Sequence, residues 1–184
     1  DFSRLGAFFD VILTDVPCSG EGMFRKDPGA VEEWSPENVE ICWQRQRRII
    51  ADIWPCLKPG GILVYSTCTY NTKEDEENVQ WIRDEFGAEV LPVNAPGGWG
   101  ITGNLLAAAD FPVYRFLPHK TIGEGFFLAV LRKPEAERQG GIVTSVNREV
   151  TACGAMNEKL SRKKTAAARN NSKPSSAPMG KEQI

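Results

Sequence analysis

The apolar positions of the chain change period several times, and each change marks an element. Residues 8–14 (Phe8-Phe9-Asp10-Val11-Ile12-Leu13-Thr14) form an apolar, β-branched run that predicts a buried strand. Asp15 closes it, and Pro17, Gly20 and Gly22 force a loop. Ser35-Pro36-Glu37 has the order of a helix start: a hydroxyl cap, a proline at the first position and an acid in the first turn. Behind it, Cys42, Ile49, Ile50, Ile53 and Leu57 recur at helical spacing and predict a buried stripe, ended by Leu57-Lys58-Pro59-Gly60-Gly61. Residues 62–66 predict a second buried strand. Asn71 or Thr72 is placed to cap a second helix, with Glu74, Asp75, Glu76 and Glu77 in its first turn and Val79, Ile82 and Phe86 as its stripe.

Strand, helix, strand and helix joined by short loops predict βαβ units, an α/β fold and a largely parallel sheet. Residues 88–93 read as a further strand and Pro96-Gly97-Gly98-Trp99-Gly100 as a loop. Residues 113–117 and 125–132 predict two antiparallel strands joined by a turn. After Pro134 the composition turns to Lys, Arg, Asn, Ser, Ala and Pro. Residues 1–134 are therefore expected to be a folded unit, and 135–184 a basic linker or tail leading to a domain absent here.

At 184 residues the chain suits one domain plus an appendage, and no apolar run approaches the roughly 18 residues of a membrane span. A formal net charge of −2 lacks the basic excess of a free-standing nucleic-acid binder. Any nucleic-acid contact then lies elsewhere or in a local patch such as Arg45, Arg47 and Arg48, although such helix arginines more often form a solvated face. The chain opens Asp1-Phe2-Ser3-Arg4, with no methionine and no leader-type stretch, and its first strand starts almost at once. We expect a piece of a longer protein, cut inside a larger domain.

The five cysteines stand at 18, 42, 56, 68 and 153, with no Cys-x-x-Cys and a single histidine, His119. Neither structural zinc nor a disulfide framework fits, and a reducing cytoplasmic compartment is expected. Cys42 and Cys56 read as helix-core residues, His119 as structural, and Trp34, Trp43 and Trp54 as packing. Cys153 lies in the tail. Cys18 and Cys68 differ from these: each stands just past an apolar β-type run, at the strand ends where open α/β sheets bind ligands.

Asp15-Val16-Pro17-Cys18-Ser19-Gly20-Glu21-Gly22, Arg25-Lys26-Asp27-Pro28, Trp34-Ser35-Pro36 and Gln44 followed at three by Arg47 together resemble one family. So do Leu57-Lys58-Pro59-Gly60-Gly61, Tyr65-Ser66-Thr67-Cys68-Thr69, Pro118-His119 and Gly125-Phe126-Phe127. The family is the Sun/Nop-type RNA cytosine-5 methyltransferases, nearest to bacterial 16S ribosomal RNA enzymes, and the resemblance runs from about residue 8 to residue 133. It implies a Rossmann-like class I fold dependent on S-adenosyl-L-methionine, with family sheet order 3-2-1-4-5-7-6. This chain would supply the 4-5-7-6 side. The Gly-rich cofactor loop and ribose-binding acid of the other side are not visible.

The resemblance further implies the roles of single residues. Cys68 is the nucleophile that adds to carbon 6 of cytosine, making carbon 5 able to take the methyl group. Cys18 assists product release, and Asp15 contacts the cofactor. Pro17 stiffens the substrate loop, and Arg25 and Lys26 offer charges to RNA phosphate. The implied partner is RNA, namely 16S rRNA or the ribosomal subunit, with no metal and no membrane. In DNA cytosine-5 methyltransferases a Pro-Cys cysteine is the nucleophile instead, which here is Cys18. Asp15-Val16-Pro17-Cys18 argues against amino-group methyltransferases, which carry an Asn/Asp-Pro-Pro-aromatic loop. The alternative of another class is a non-catalytic RNA-binding or assembly module keeping half of the fold, and a cysteine hydrolase ranks behind it.

Overall fold

The computed structural model describes residues 2, 4–107 and 109–135. The expected basic tail lies, apart from Glu135, outside them, as does Cys153. Among the described residues five strands form one sheet: β1 (Phe9–Asp15), β2 (Leu57–Thr67), β3 (Glu89–Leu91), β4 (Tyr114–Phe116) and β5 (Phe126–Arg132). The helices are α1 (Pro28–Glu33), α2 (Pro36–Ile53) and α3 (Glu76–Phe86), with single 3₁₀ turns at Glu21–Met23, Trp54–Cys56 and Gly97–Trp99.

The sheet order is β1-β2-β5-β3, with β4 also on β5. β1 and β2 are parallel, whereas β5 runs antiparallel to β2, β3 and β4. Four strands thus point one way and β5 against them, a mixed α/β sheet in the order expected of the 4-5-7-6 side. β3 and β4 share one edge of β5, paired with opposite ends of it: Glu89 meets Arg132 and Phe116 meets Phe126.

α2 starts as its sequence requires, Ser35 Oγ accepting from the Asn38 amide at 3.1 Å with Pro36 behind it. It ends earlier than its apolar stripe suggests. Pro55 has no amide to donate, the chain tightens into the 3₁₀ turn, and Leu57 is already extended. Leu57 is therefore the first residue of β2, paired with Phe9, rather than the last of the helix. The next paired residue is Ile62 opposite Val11, so Lys58–Gly61 is set out of the ladder; the amide of Gly60 (φ 74°) and the carbonyl of Gly61 bond to the Lys133 backbone instead. α3 also starts late. Asn71 Oδ1 caps a turn upstream by accepting from the Glu74 amide (2.9 Å), and the helix begins only at Glu76.

Leu57, Leu63, Tyr65, Val79, Ile82, Phe127, Ala129 and Leu131 are fully buried between the sheet and the helices. Burying each larger aliphatic or aromatic side chain stabilises the fold by roughly 1.5–3 kcal/mol. β1 departs from the expected buried strand: Val11 and Leu13 are 58% and 72% exposed. The cause is position, since among the described residues β1 has a partner on one edge only. An open apolar trough of about 410 Å³ runs beside it, walled by Val11, Ile12 and Leu13 and by Ile49 and Ile53 of α2, and reaching Asp15 and Pro17. Among the described residues no helix is long and apolar enough to cross a membrane, and no group of three His, Cys, Asp or Glu side chains is placed to hold a metal ion.

Candidate functional site

Parallel pairing of β1 and β2 brings both cysteine loops out of one end of the sheet. Asp15 lies opposite Ser66, the Val16 amide donates to the Ser66 carbonyl (3.0 Å), and Ser66 Oγ donates to the Thr14 carbonyl (2.7 Å). Two or three residues further on, Cys18 Sγ and Cys68 Sγ meet at 3.3 Å, both half-buried and both free thiols. Residues fifty apart in sequence thus form one sulfur pair.

The two sulfurs share their protons unequally. The hydrogen bond from Cys68 lowers the Cys18 thiol to about 6, against burial and the Glu74 charge. That same bond, together with burial and the charges of Cys18 and Asp15, pushes the Cys68 thiol well up. Physically, one proton leaves the pair readily and the second is retained, because a single S–H bridging to a thiolate is better stabilised than two thiols or two thiolates.

Two buried carboxylates hold the loops together. Glu21 accepts from Thr69 Oγ1 (2.6 Å) and from the amides of Tyr70 (2.6 Å) and Asn71 (2.9 Å), all just after Cys68. Its other oxygen accepts from Trp34 Nε1 and Asn71 Nδ2, both at 3.1 Å. Glu74 accepts from the Ser19 amide (3.0 Å) and Oγ (2.5 Å), just after Cys18, and from Gln46 Nε2 (2.8 Å) and Asn71 Nδ2 (2.7 Å). Gln46 also donates to the Pro17 carbonyl at 2.9 Å, tying α2 to the Cys18 loop.

Gly22 closes the contact from the other side. A Cβ built there would stand 2.2 Å from the Cys68 carbonyl oxygen and 3.0 Å from its Cβ. Neither backbone can yield without shifting a sulfur. Gly22→Ala is expected to destabilise the fold by about 1–3 kcal/mol, the usual range for overpacking, as read by urea denaturation.

The family model for 16S rRNA methyltransferase RsmB/F matches residues 1–132. The chain belongs to that family. Ribosomal RNA small subunit methyltransferase F of Shigella flexneri serotype 5b (strain 8401) is 42% identical over 130 residues, 70% of this chain and 26% of that protein. The protein of the same name from Escherichia fergusonii is 40% identical over 141 residues, 73% of this chain and 28% of its own. This RsmB/F chain thus spans about a quarter of the length of these curated relatives. Among solved structures, NSun6 from Pyrococcus horikoshii with SFG aligns at TM-score 0.55 and 34% identity, covering 66% of this chain and 29% of that one. A methyltransferase homologue from Pyrococcus horikoshii aligns at TM-score 0.58 and 31% identity, over 72% and 41% respectively.

Within this RsmB/F chain the other anticipated residues fall as follows. Asp15 is exposed at the end of β1, and Pro17 is exposed beside it, each bordering the trough. Arg25 and Lys26 are exposed but engaged: Arg25 Nη1 donates to the Gly123 carbonyl (3.1 Å) and Lys26 pairs with Glu124. They fasten the β4–β5 connection to the segment after Cys18, while Tyr70, whose hydroxyl donates to the Glu124 carbonyl, fastens it to the Cys68 loop. Cys42 and Cys56 are buried as expected, Trp54 stacks on Phe86 at 4.9 Å, and His119 is exposed.

Arg47 corrects the expectation of a solvated arginine face, which holds only for Arg45 and Arg48. Its guanidinium lies 3.9 Å from the Trp43 ring centroid and 5.1 Å from that of Trp81, donates to Asn78 Oδ1 (3.0 Å), and is lowered to about 10 by burial. Planar stacking and a partner on α3 outweigh hydration there. Trp34 is likewise more than packing, because its indole N–H serves Glu21. Sequence reading missed Ser19, Glu21, Gln46, Asn71, Glu74 and Arg115. The signal the sequence offers is the run of four acids, Glu74 to Glu77, directly after a cysteine loop, which reads by itself only as the first turn of a helix.

Proposed function

We propose that the protein carrying this chain transfers a methyl group from S-adenosylmethionine to carbon 5 of cytosine in 16S rRNA, through a covalent adduct on Cys68. The observation that carries this reading is the 3.3 Å sulfur pair at the ends of two adjacent parallel strands, in a chain of the RsmB/F family. Carbon 5 of cytosine is a weak nucleophile, so it needs a thiolate at carbon 6 before it can be alkylated. As Cys68 attacks, its proton passes across the contact to the Cys18 thiolate. After carbon 5 loses its proton to a base, Cys68 departs, and the S–H of Cys18 stabilises the leaving sulfur. One proton thus shuttles within the pair. The target base must be unstacked to reach two half-buried sulfurs.

S-adenosylmethionine supplies the methyl group as an electrophilic sulfonium. Asp15 fits one edge of such a site: it is exposed, offers acceptor oxygens to hydroxyl or amino groups, and borders an apolar wall of Val16 and Pro17. Four free thiols among the described residues suit a reducing, cytoplasmic setting beside ribosomal RNA.

A second reading has one specific support. Cys18 has the lower pKa of the pair, as the Pro-Cys nucleophile of the DNA enzymes would need. The test of the whole reading is methyl transfer by the native protein to unmodified 16S rRNA or small subunits, followed by nucleoside mass spectrometry. 5-Methylcytidine is expected. A label on an exocyclic amine or ribose refutes the chemistry, and RNA binding without transfer or adduct favours an assembly module.

A further inference from the structure

We propose that Glu21 and Glu74 are positioning residues, a reciprocal clasp that sets the separation of the Cys18 and Cys68 sulfurs. The consequence for turnover rests on the methyl-transfer reading; the clasp itself rests on geometry. Glu21 belongs to the Cys18 loop and bonds the three residues directly after Cys68, while Glu74 follows Cys68 and bonds Ser19, directly after Cys18. Asn71 Nδ2 bridges the two carboxylates, at 3.1 Å from Glu21 Oε1 and 2.7 Å from Glu74 Oε2. Each loop therefore carries the acceptor for the other, and neither can shift along the sheet end without breaking bonds in both.

Nine of these bonds run from neutral donors to the two carboxylates, five to Glu21 and four to Glu74. Only an ionised carboxylate accepts at every lone pair; a carboxamide would turn an N–H₂ toward fixed donors such as Trp34 Nε1 or Gln46 Nε2. Electrostatic activation of the sulfurs is not the reason for the charges, because Glu74 works against thiolate formation at Cys18. Placement explains them: both residues are buried (6% and 0% exposed) and brace the pair from α2 through Gln46 and from the α1–α2 junction through Trp34.

The sulfur separation can be read without any RNA. Diamide oxidises two adjacent thiols to a disulfide: two S–H bonds are lost, one S–S bond forms, and the azo bond takes up both protons and both electrons to become a hydrazine. The full native chain is treated with diamide, and Cys18–Cys68 closure is timed by peptide mapping, with maleimide labelling of buried Cys42 and Cys56 reporting loss of fold. Glu21→Gln and Glu74→Gln are expected to slow closure by on the order of tenfold or more, since leaving buried donors unpaired costs one or more factors of ten in a conformational equilibrium. Cys42 and Cys56 stay protected, and kcat falls while the KM for RNA is unchanged. Should either Gln variant expose Cys42 or Cys56, Ser19→Ala and Thr69→Val, each removing one clasp bond, decide with a several-fold slowing.

Closure within twofold of wild type in folded variants overturns the clasp, whatever becomes of methyl transfer. Slowed closure in a protein whose wild type transfers no methyl group upholds the clasp and sinks the proposed reaction instead.

Discussion

Cys68→Ala is expected to abolish the covalent RNA adduct and lower methyl transfer roughly 10⁴–10⁶-fold, the range found when a nucleophile is removed. Cys18→Ala is expected to do something different: the adduct forms but accumulates. The reason lies in what holds the Cys68 proton. Its bond to Cys18, burial and the charges of Cys18 and Asp15 all push that thiol up, and two of the four vanish with Cys18. Cys68 then falls back toward an ordinary thiol, with burial and Asp15 still holding it up, and the small thiolate fraction left at neutral pH attacks slowly. Release suffers more, since no S–H stands 3.3 Å away to stabilise the departing sulfur.

Thiol titration checks the same pair independently of RNA. Iodoacetamide alkylation of the wild type should rise through about pH 6, where the pair yields its first proton, and thiolate grows as pH increases. In Cys68→Ala the chief cause of lowering at Cys18 is gone, so its profile should move upward. Denaturing gels of cross-linked RNA and mass mapping separate the two assignments. Adduct accumulating in Cys68→Ala and missing in Cys18→Ala would hand the nucleophile's role to Cys18.

The sulfur pair was legible in sequence because its signal is local twice over: each cysteine follows an apolar β run, and parallel pairing does the rest. Ser35-Pro36 likewise announces α2 by local capping chemistry. What stayed hidden depends on partners distant in sequence. Glu74, Asp75 and Glu76 look like surface acids of a first turn, yet all three are fully buried, because Ser19, Gln46 and Arg115 arrive from 28 to 55 residues away. Leu57 obeys the helical period and still opens a strand, since a proline two residues before it ends the helix. Val11 and Leu13 have core composition but no neighbour on the free edge of β1 among the described residues.

Arg115→Met is expected to destabilise the fold by about 3–5 kcal/mol, the usual result of removing one partner from a buried ionic cluster. Arg115 is 1% exposed on β4; its Nε donates to Glu76 Oε1 (2.6 Å), its Nη2 to Glu76 Oε2 and its Nη1 to the Tyr70 carbonyl (2.9 Å). The guanidinium therefore neutralises Glu76 in a fork and anchors the residue two after Cys68. Nη1 also lies 3.0 Å from Asp75 Oδ2, but neither Asp75 oxygen receives a hydrogen bond. One cation thus faces two buried carboxylates, and Asp75 is the surplus charge. Burial raises the Asp75 carboxyl well above its usual value, and Arg115 only partly offsets this. A group whose folded pKa is raised contributes stability that is complete below its unfolded pKa, about 3.9, and is lost as pH climbs through the folded one. Asp75→Asn removes that loss while leaving the Arg115–Glu76 fork neutral, so the variant should gain on the wild type as pH rises from acid to neutral. Urea denaturation followed by tryptophan fluorescence across that range reads both effects. Parallel stability curves for wild type and Asp75→Asn would mean that Asp75 keeps its charge at no cost, and that Arg115 serves both carboxylates equally.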